Sequence, residues 1–272
     1  YCTYNRIEGC RYRLRDPLRI AEEIAQLVRA TGINHIEFTD STFNIPIDHA
    51  KAVLRAIQDQ RLTLRLQTTC LNPSAIDEEL VGLMQATGFV EVHLGVEAGC
   101  DQTLAGLGKN FRVRDIEQAG RLLHARRIPV MWFLLLGAPN ETPDTVRETL
   151  NTITRFASPW DLISVGIGIR LYKGAPLAET MRAADPACTA DDFLHPVGLE
   201  PPGIPLQQIK ALVTESSWRN PNIFMYDESA GLSATLTKLG CGLQRIFAPR
   251  QPVWRLMILL RKIKQRAGWR TL

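Results

Sequence analysis

The stretch Asp16–Thr42, DPLRIAEEIAQLVRATGINHIEFTDST, decides the fold. Its first half sets Leu18, Ile20, Ile24, Leu27 and Val28 at mostly three- and four-residue spacing, which makes one apolar helical face over Asp16 to Thr31. Gly32 then stops the helix, because glycine takes the left-handed conformation of a C-cap. A short strand-like run follows, Ile33 to Phe38, and ends in the polar cluster Thr39-Asp40-Ser41-Thr42. The unit repeats down the chain. Helix Asp48 to Gln58 leads to strand Leu62 to Thr69, and helix Ile76 to Thr87 to strand Val90 to Val96. Helix Val113 to Arg126 leads to strand Pro129 to Leu136, and helix Pro143 to Phe156 to strand Leu162 to Arg170. Such alternation predicts an α/β fold with a parallel sheet and crossover helices, doubly wound or closed towards a barrel. A helix rather than a strand opens the series, so a first strand is expected to be missing from the numbered chain.

Polar residues gather just after the strands: Asp40 to Asn44, Asn72 to Ser74, Glu97 to Gly99, Gly137 to Thr142 and Tyr172 to Gly174. In parallel α/β folds ligands bind at the carboxyl ends of strands, so these segments are the candidate site.

Composition narrows the class further. The 272 residues are 45% hydrophobic and 22% charged, which excludes wholesale disorder. The longest apolar run, Ile128 to Leu136, is strand-sized and far short of the roughly 20 residues of a membrane span. The N-terminal YCTYNRIEGCRYR has no signal-peptide core, which predicts a cytoplasmic chain with reduced thiols. Six cysteines stand scattered without C-x-x-C, so a disulfide scaffold is not expected.

The net charge of +4 conceals two opposite parts. Residues 229–272 hold nine basic residues and no acidic one, against 23 basic and 28 acidic before them. From Pro252 the residues Val253, Trp254, Leu256, Met257, Leu260 and Ile263 alternate with Arg and Lys as a basic amphipathic helix. Such a helix lies on an anionic bilayer, which would place the chain at the inner face of the membrane, or docks on its own acidic body or a partner. No nucleic-acid reading motif accompanies the charge. Residues 173–222 hold seven prolines and no clear strand, with a helix expected at Leu206 to Ser216.

Read in order, Tyr1-Cys2, Asp40-Ser41-Thr42-Phe43-Asn44, Gly95-Val96-Glu97-Ala98-Gly99, Leu136-Gly137-Ala138-Pro139-Asn140-Glu141-Thr142 and Arg170-Leu171-Tyr172-Lys173-Gly174 form a constellation. From Tyr1 to about Thr180 the chain resembles the radical S-adenosylmethionine (SAM) superfamily, in the branch often fused to a cobalamin-binding domain. The resemblance implies a partial (β/α)6 TIM-like barrel over residues 1–180, its first strand missing. A helical extension with the basic tail follows over 181–272. It implies a [4Fe–4S] cluster on three cysteines, with SAM chelated by the open iron. Cys2 matches the third of those cysteines. The other two would lie three and seven residues upstream, so the chain is expected to be cut within the cluster motif.

By the same resemblance Tyr1 lies against the adenine, and Asp40, Ser41 and Thr42 receive the SAM amino group. Asp40 to Thr42 suit a turn and helix cap equally well. Lys109 offers a cation to the SAM carboxylate, or is a solvated surface lysine, and Glu97 accepts from ribose or amino group. Gly137 allows close backbone approach, while Asn140 or Thr142 caps the helix at Pro143. Arg170 and Tyr172 contact SAM or substrate, unless Arg170 pairs with Glu97 or Asp40. His35, His93 and Trp132 read as wall or core residues, and Cys70, at a strand end near the site, as a buried structural cysteine or a substrate-side thiol.

The chemistry implied is reductive cleavage of SAM to a 5′-deoxyadenosyl radical that attacks an unreactive carbon. With an upstream cobalamin domain, the outcome is methylation of that carbon. The partners implied are a small-molecule or lipid-like substrate and a reductant protein. The competing class is a conventional non-redox α/β barrel enzyme, or a degenerate barrel serving as a binding module, in which Cys2 is incidental.

Overall fold

The computed structural model describes residues 2–7, 9, 11–184, 194–226 and 251–266. A single turn, α1 (Tyr4–Ile7), precedes α2 (Pro17–Thr31). Asp16 caps α2 by accepting from the Leu18 N–H at 2.9 Å, and Gly32 closes it at φ 71° with its N–H on the Val28 carbonyl. That cap turns the chain directly into strand β1 (His35–Phe38). The same device ends α4 (Glu78–Thr87), where Gly88 sits at φ 95°. Between them lie α3 (Ile47–Asp59) and β2 (Arg65–Thr68).

The series continues with β3 (Val92–Glu97), the short α5 (Asp101–Gly106), α6 (Val113–Ala125), β4 (Val130–Leu136), α7 (Pro143–Phe156) and β5 (Leu162–Ile167). All five strands run parallel. β1 pairs with β2, β3 with β4, and β4 with β5. Between β2 and β3 the sheet is held by single bridges at Leu66–Phe89 and Leu71–Leu94.

Burial alternates along the strands, as a two-residue period requires. Val92, Leu94 and Val96 of β3, and Val130, Trp132, Leu134 and Leu136 of β4, are buried in one core with residues of α3, α4, α6 and α7. Their neighbours His93, Gly95, Met131, Phe133 and Leu135 face the other side and are only partly covered. The result is a parallel sheet backed by helices and left open on its second face, a partial barrel rather than a closed one.

Past β5 the structure departs from the sequence reading. The run Leu162 to Arg170 reads as one strand but breaks at Gly168, which takes φ 90°. Arg170–Leu171 forms β6, antiparallel to β7 (Val197–Gly198), with α8 (Pro176–Ala184) between them. The predicted helix appears as α9 (Leu206–Arg219) and delivers β8 (Ile223–Met225), which adds parallel to β5. The region after residue 181 therefore contributes a strand to the main sheet.

The basic tail forms α10 (Trp254–Arg266) and packs against the chain's own body. Trp254 and Ile258 are buried beside Leu162, with Met131, Phe224 and Met257 around them. The Trp254 indole donates to the Trp160 carbonyl at 3.1 Å, and Arg261 stacks 4.6 Å over Phe224 while donating to the Ile223 carbonyl. The inward stripe is thus Trp254, Met257, Ile258 and Arg261. Leu260 and Ile263, which the sequence pattern places with Trp254, stay exposed. No described helix is long and apolar enough to cross a membrane.

Candidate functional site

The carboxyl end of β3 carries the least ordinary backbone of the sheet. Its register with β4 shifts between Gly95 and Glu97, and Glu97 sits at φ 60°, a conformation that non-glycine residues seldom hold. The bulge aims the carboxylate of Glu97 at Lys109, whose ammonium donates to it at 2.8 Å. Lys109 is placed by the turn after α5, where Gly108 takes φ 67° and the Lys109 N–H reaches the Leu104 carbonyl. Both side chains are largely buried, 13% and 20% exposed, and Lys109 also lies 5.6 Å from the Phe111 ring. Lys109 is therefore a held cation, not a solvated one.

Cys70, two residues past the end of β2 and next to the Leu71–Leu94 bridge, joins this pair. Its thiol is half-buried and lies 3.5 Å from where a Cβ on Gly95 would stand. Burial pushes its pKa up, and the Glu97 carboxylate acts in the same direction, while Lys109 and a hydrogen bond with Thr42 partly oppose them. Exposed Cys2 also lies within electrostatic reach of this thiol. Thr42, Cys70, Glu97 and Lys109 are thus one cluster, with Cys2 at its margin. Asp40 and Ser41 lie exposed beside it, and the Thr42 hydroxyl donates to the Ser41 carbonyl at 2.7 Å. Tyr1 lies outside the described residues.

Buried Asn44, the last residue of the Asp40 to Asn44 segment, fixes the β1 and β2 loops together. Its amide donates to the carbonyls of Asn72 and Ala75 at 2.9 and 2.8 Å, and its oxygen accepts from the Asn72 N–H. The local pattern marks its segment but not this role, because its partners lie about thirty positions away.

After β4 the chain doubles back tightly. Gly137 takes φ 108°, and a Cβ there would stand 3.2 Å from the backbone of Gly168. Fully buried Glu141 binds this turn, accepting from the N–H groups of Gly137 and Ala138. Its second oxygen has no hydrogen-bond partner, and burial pushes its pKa up against those two bonds. Thr142, rather than Asn140, caps α7, and the Asn140 amide reaches across to the Gln102 carbonyl at 2.7 Å. Arg170 and Tyr172 stand apart from the Glu97 cluster, lining a cavity at the ends of β5 and β8.

Of the residues read as wall or core, Trp132 is fully buried and donates its indole N–H to Asp161 at 3.0 Å. His35 pairs with Gln67 at 3.0 Å, and His93 faces Glu91 at 3.4 Å beside the Phe133 ring. Among the described residues no three His, Cys, Asp or Glu side chains converge as a metal site. A [4Fe–4S] cluster held by three thiolates therefore does not fit the described residues by themselves, whose one thiol at the site margin is Cys2.

The sequence profile of the Radical SAM superfamily matches residues 1–153. The chain belongs to the radical SAM superfamily. The tryptophan 2-C-methyltransferase of Streptomyces laurentii is 29% identical over 188 residues, covering 64% of this chain and 31% of that protein. The anaerobic magnesium-protoporphyrin IX monomethyl ester cyclase of Cereibacter sphaeroides is 27% identical over 154 residues, 55% of this chain and 24% of that one. The chain thus spans a quarter to a third of the length of these curated relatives.

Among solved structures, the radical SAM methyltransferase TsrM of Kitasatospora setae, with cobalamin and a [4Fe–4S] cluster bound, superposes at a TM-score of 0.71. It shares 22% identity, over 94% of this chain and 57% of that one. The cobalamin-dependent SAM radical enzyme OxsB superposes at 0.61 with 13% identity, over 97% of this chain and 45% of that one. At these identities the likeness is one of fold, and it confirms the radical SAM partial barrel.

Proposed function

We propose that this chain is the SAM-binding core of a radical SAM enzyme that functionalises an unreactive carbon, by methylation where cobalamin takes part. The observation that carries this reading is the Glu97–Lys109 pair beside Thr42 and Cys70 at the strand carboxyl ends. Its donor set suits the amino-acid end of SAM, which is a zwitterion. Lys109 offers its ammonium to the carboxylate, and Asp40, Ser41 and Thr42 offer oxygen atoms to the ammonium. Charge-assisted hydrogen bonds of this kind are among the strong ones. Glu97 holds Lys109 in position and accepts from ribose or amino group. Cys70, its pKa pushed up, stays a neutral thiol and adds no second negative charge beside Glu97.

The family draws reductive SAM cleavage from its iron–sulfur cluster, with Cys2 the candidate ligand in this chain. Residues 1–180 form the core in this reading. The part from 181 adds a strand and the α10 dock, with Arg170 and Tyr172 on the substrate side. A small-molecule substrate, a reductant protein and a cytoplasmic setting complete the proposal. Support for the methyl-transfer form comes from the relatives, which include a tryptophan 2-C-methyltransferase and a cytidylyl-2-hydroxyethylphosphonate methyltransferase.

The test is anaerobic reconstitution, with iron and sulfide, of the protein extended upstream through the two cysteines expected three and seven residues before Cys2, followed by reduction in the presence of SAM; residues 1–272 alone are expected to fail. A brown protein that consumes SAM is expected. Lys109→Met should weaken SAM binding by about 10- to 100-fold, the loss of one charge-assisted bond, as read by equilibrium dialysis. A colourless protein that leaves SAM intact would return the chain to the conventional or degenerate barrels.

A further inference from the structure

A cavity of about 560 Å³ opens at the carboxyl ends of β5 and β8, under α9. Gly166 and Gly168 give its floor no side chains, and Leu135, Ile167, Leu206 and Met225 make its walls apolar. Its polar lining is one-sided. Arg170 from β6 and Lys210 from α9 both reach it, with Gln207, Tyr172 and Tyr226, and among the described residues no Asp or Glu lines it. Among the described residues neither Arg170 nor Lys210 makes an ion pair, whereas Arg182 and Arg219 nearby in the chain are paired with Glu179 and Glu215. Two cations without an ion pair over an apolar floor make the polar side of this cavity locally positive.

We infer that this cavity binds a small molecule with an apolar body and one carboxylate, the carboxylate held between Arg170 and Lys210. The guanidinium fork matches a carboxylate in two parallel hydrogen bonds, and the ammonium adds a point charge. The floor accepts the apolar part because nothing projects from it. Lys210 belongs to the part of the chain beyond the family match, so it is a specificity-determining residue that the match does not reach. The inference rests on the proposed function only for what is then done to the bound molecule. Binding itself needs neither SAM nor cluster.

The test uses the full chain with 4-phenylbutyrate and its uncharged primary amide, followed by ligand-observed NMR. The acid should bind about tenfold or more tightly than the amide. Lys210→Gln and Arg170→Gln should each bring the acid close to the amide. Both side chains are exposed, so an unchanged thermal melt will show that the variants are folded. Equal binding of acid and amide, binding of neither, or full affinity in both variants would overturn the inference. Displacement of the acid by an equal concentration of inorganic phosphate would also overturn it, by showing a general oxyanion seat. Loss of SAM binding with carboxylate binding intact would bring down the proposed function alone.

Discussion

Two buried carboxylates stand at opposite ends of the sheet, and they are served very differently. Asp161, just before β5 at the amino end, receives four donors. They are the Trp132 indole at 3.0 Å, His124 at 2.7 Å, and the N–H groups of Ser158 and Val130 at 2.9 and 3.2 Å. Glu141, after β4 at the carboxyl end, receives two donors on one oxygen and none on the other. Around Asp161 the amino end is also sealed by Trp254 and Ile258 of α10. Around Glu141 the buried Asn140 and Thr103 oxygens are unpartnered as well. The Asp161 carboxylate is wholly engaged in holding the fold, whereas Glu141 keeps one oxygen unpartnered at the end of the sheet where parallel α/β folds bind ligands.

The comparison breaks most decisively at Asp161. Asp161→Ala strands the Trp132 indole and two backbone donors, at a cost of about 3–5 kcal/mol in urea unfolding. Trp254→Ala empties the seal and is expected to cost about 2–4 kcal/mol, read as a lowered melting temperature. Substrate or SAM binding at the far end should change little in either variant while it remains folded.

The smallest effect is expected at Glu141→Gln, and its value lies in the pH dependence. The folded pKa is raised above the ordinary 4.5, so the folded chain holds this proton longer than the unfolded chain does. Stability from this group is therefore full below about 4.5 and falls as pH rises through the raised value. The Gln variant lacks that decline, so it should gain on the native protein as the pH rises above about 4.5. Equal slopes for the two proteins would place the Glu141 proton elsewhere.

Much of this architecture is legible in the sequence, because the strands from β1 to β5 are separated by amphipathic helices and punctuated by Gly32 and Gly88. The break at Gly168 was not legible, since apolar residues continue across it and only the backbone angle marks the end of β5. β8 was missed for a different reason: three residues cannot show an alternation. In the site, the resemblance brought Glu97 and Lys109 together, and their placement depends on a bulge and a turn that no periodicity encodes. Cys70 reads as a structural or a substrate-side thiol alike until Gly95, Thr42 and Glu97 are seen around it. Asp161 carried no signal at all, as its partners span residues 124 to 158.

The gap between β2 and β3 has a mechanical meaning. Four backbone hydrogen bonds, made by Leu66, Val90, Leu71 and Gly95, are the only stitches between them in the described sheet. Thr42 and Cys70 lie on one side of that seam, and Glu97 and Lys109 on the other. A molecule gripped by both sides acts as a rivet across the seam, so its arrival should slow amide exchange at those four stitches before it slows exchange anywhere else.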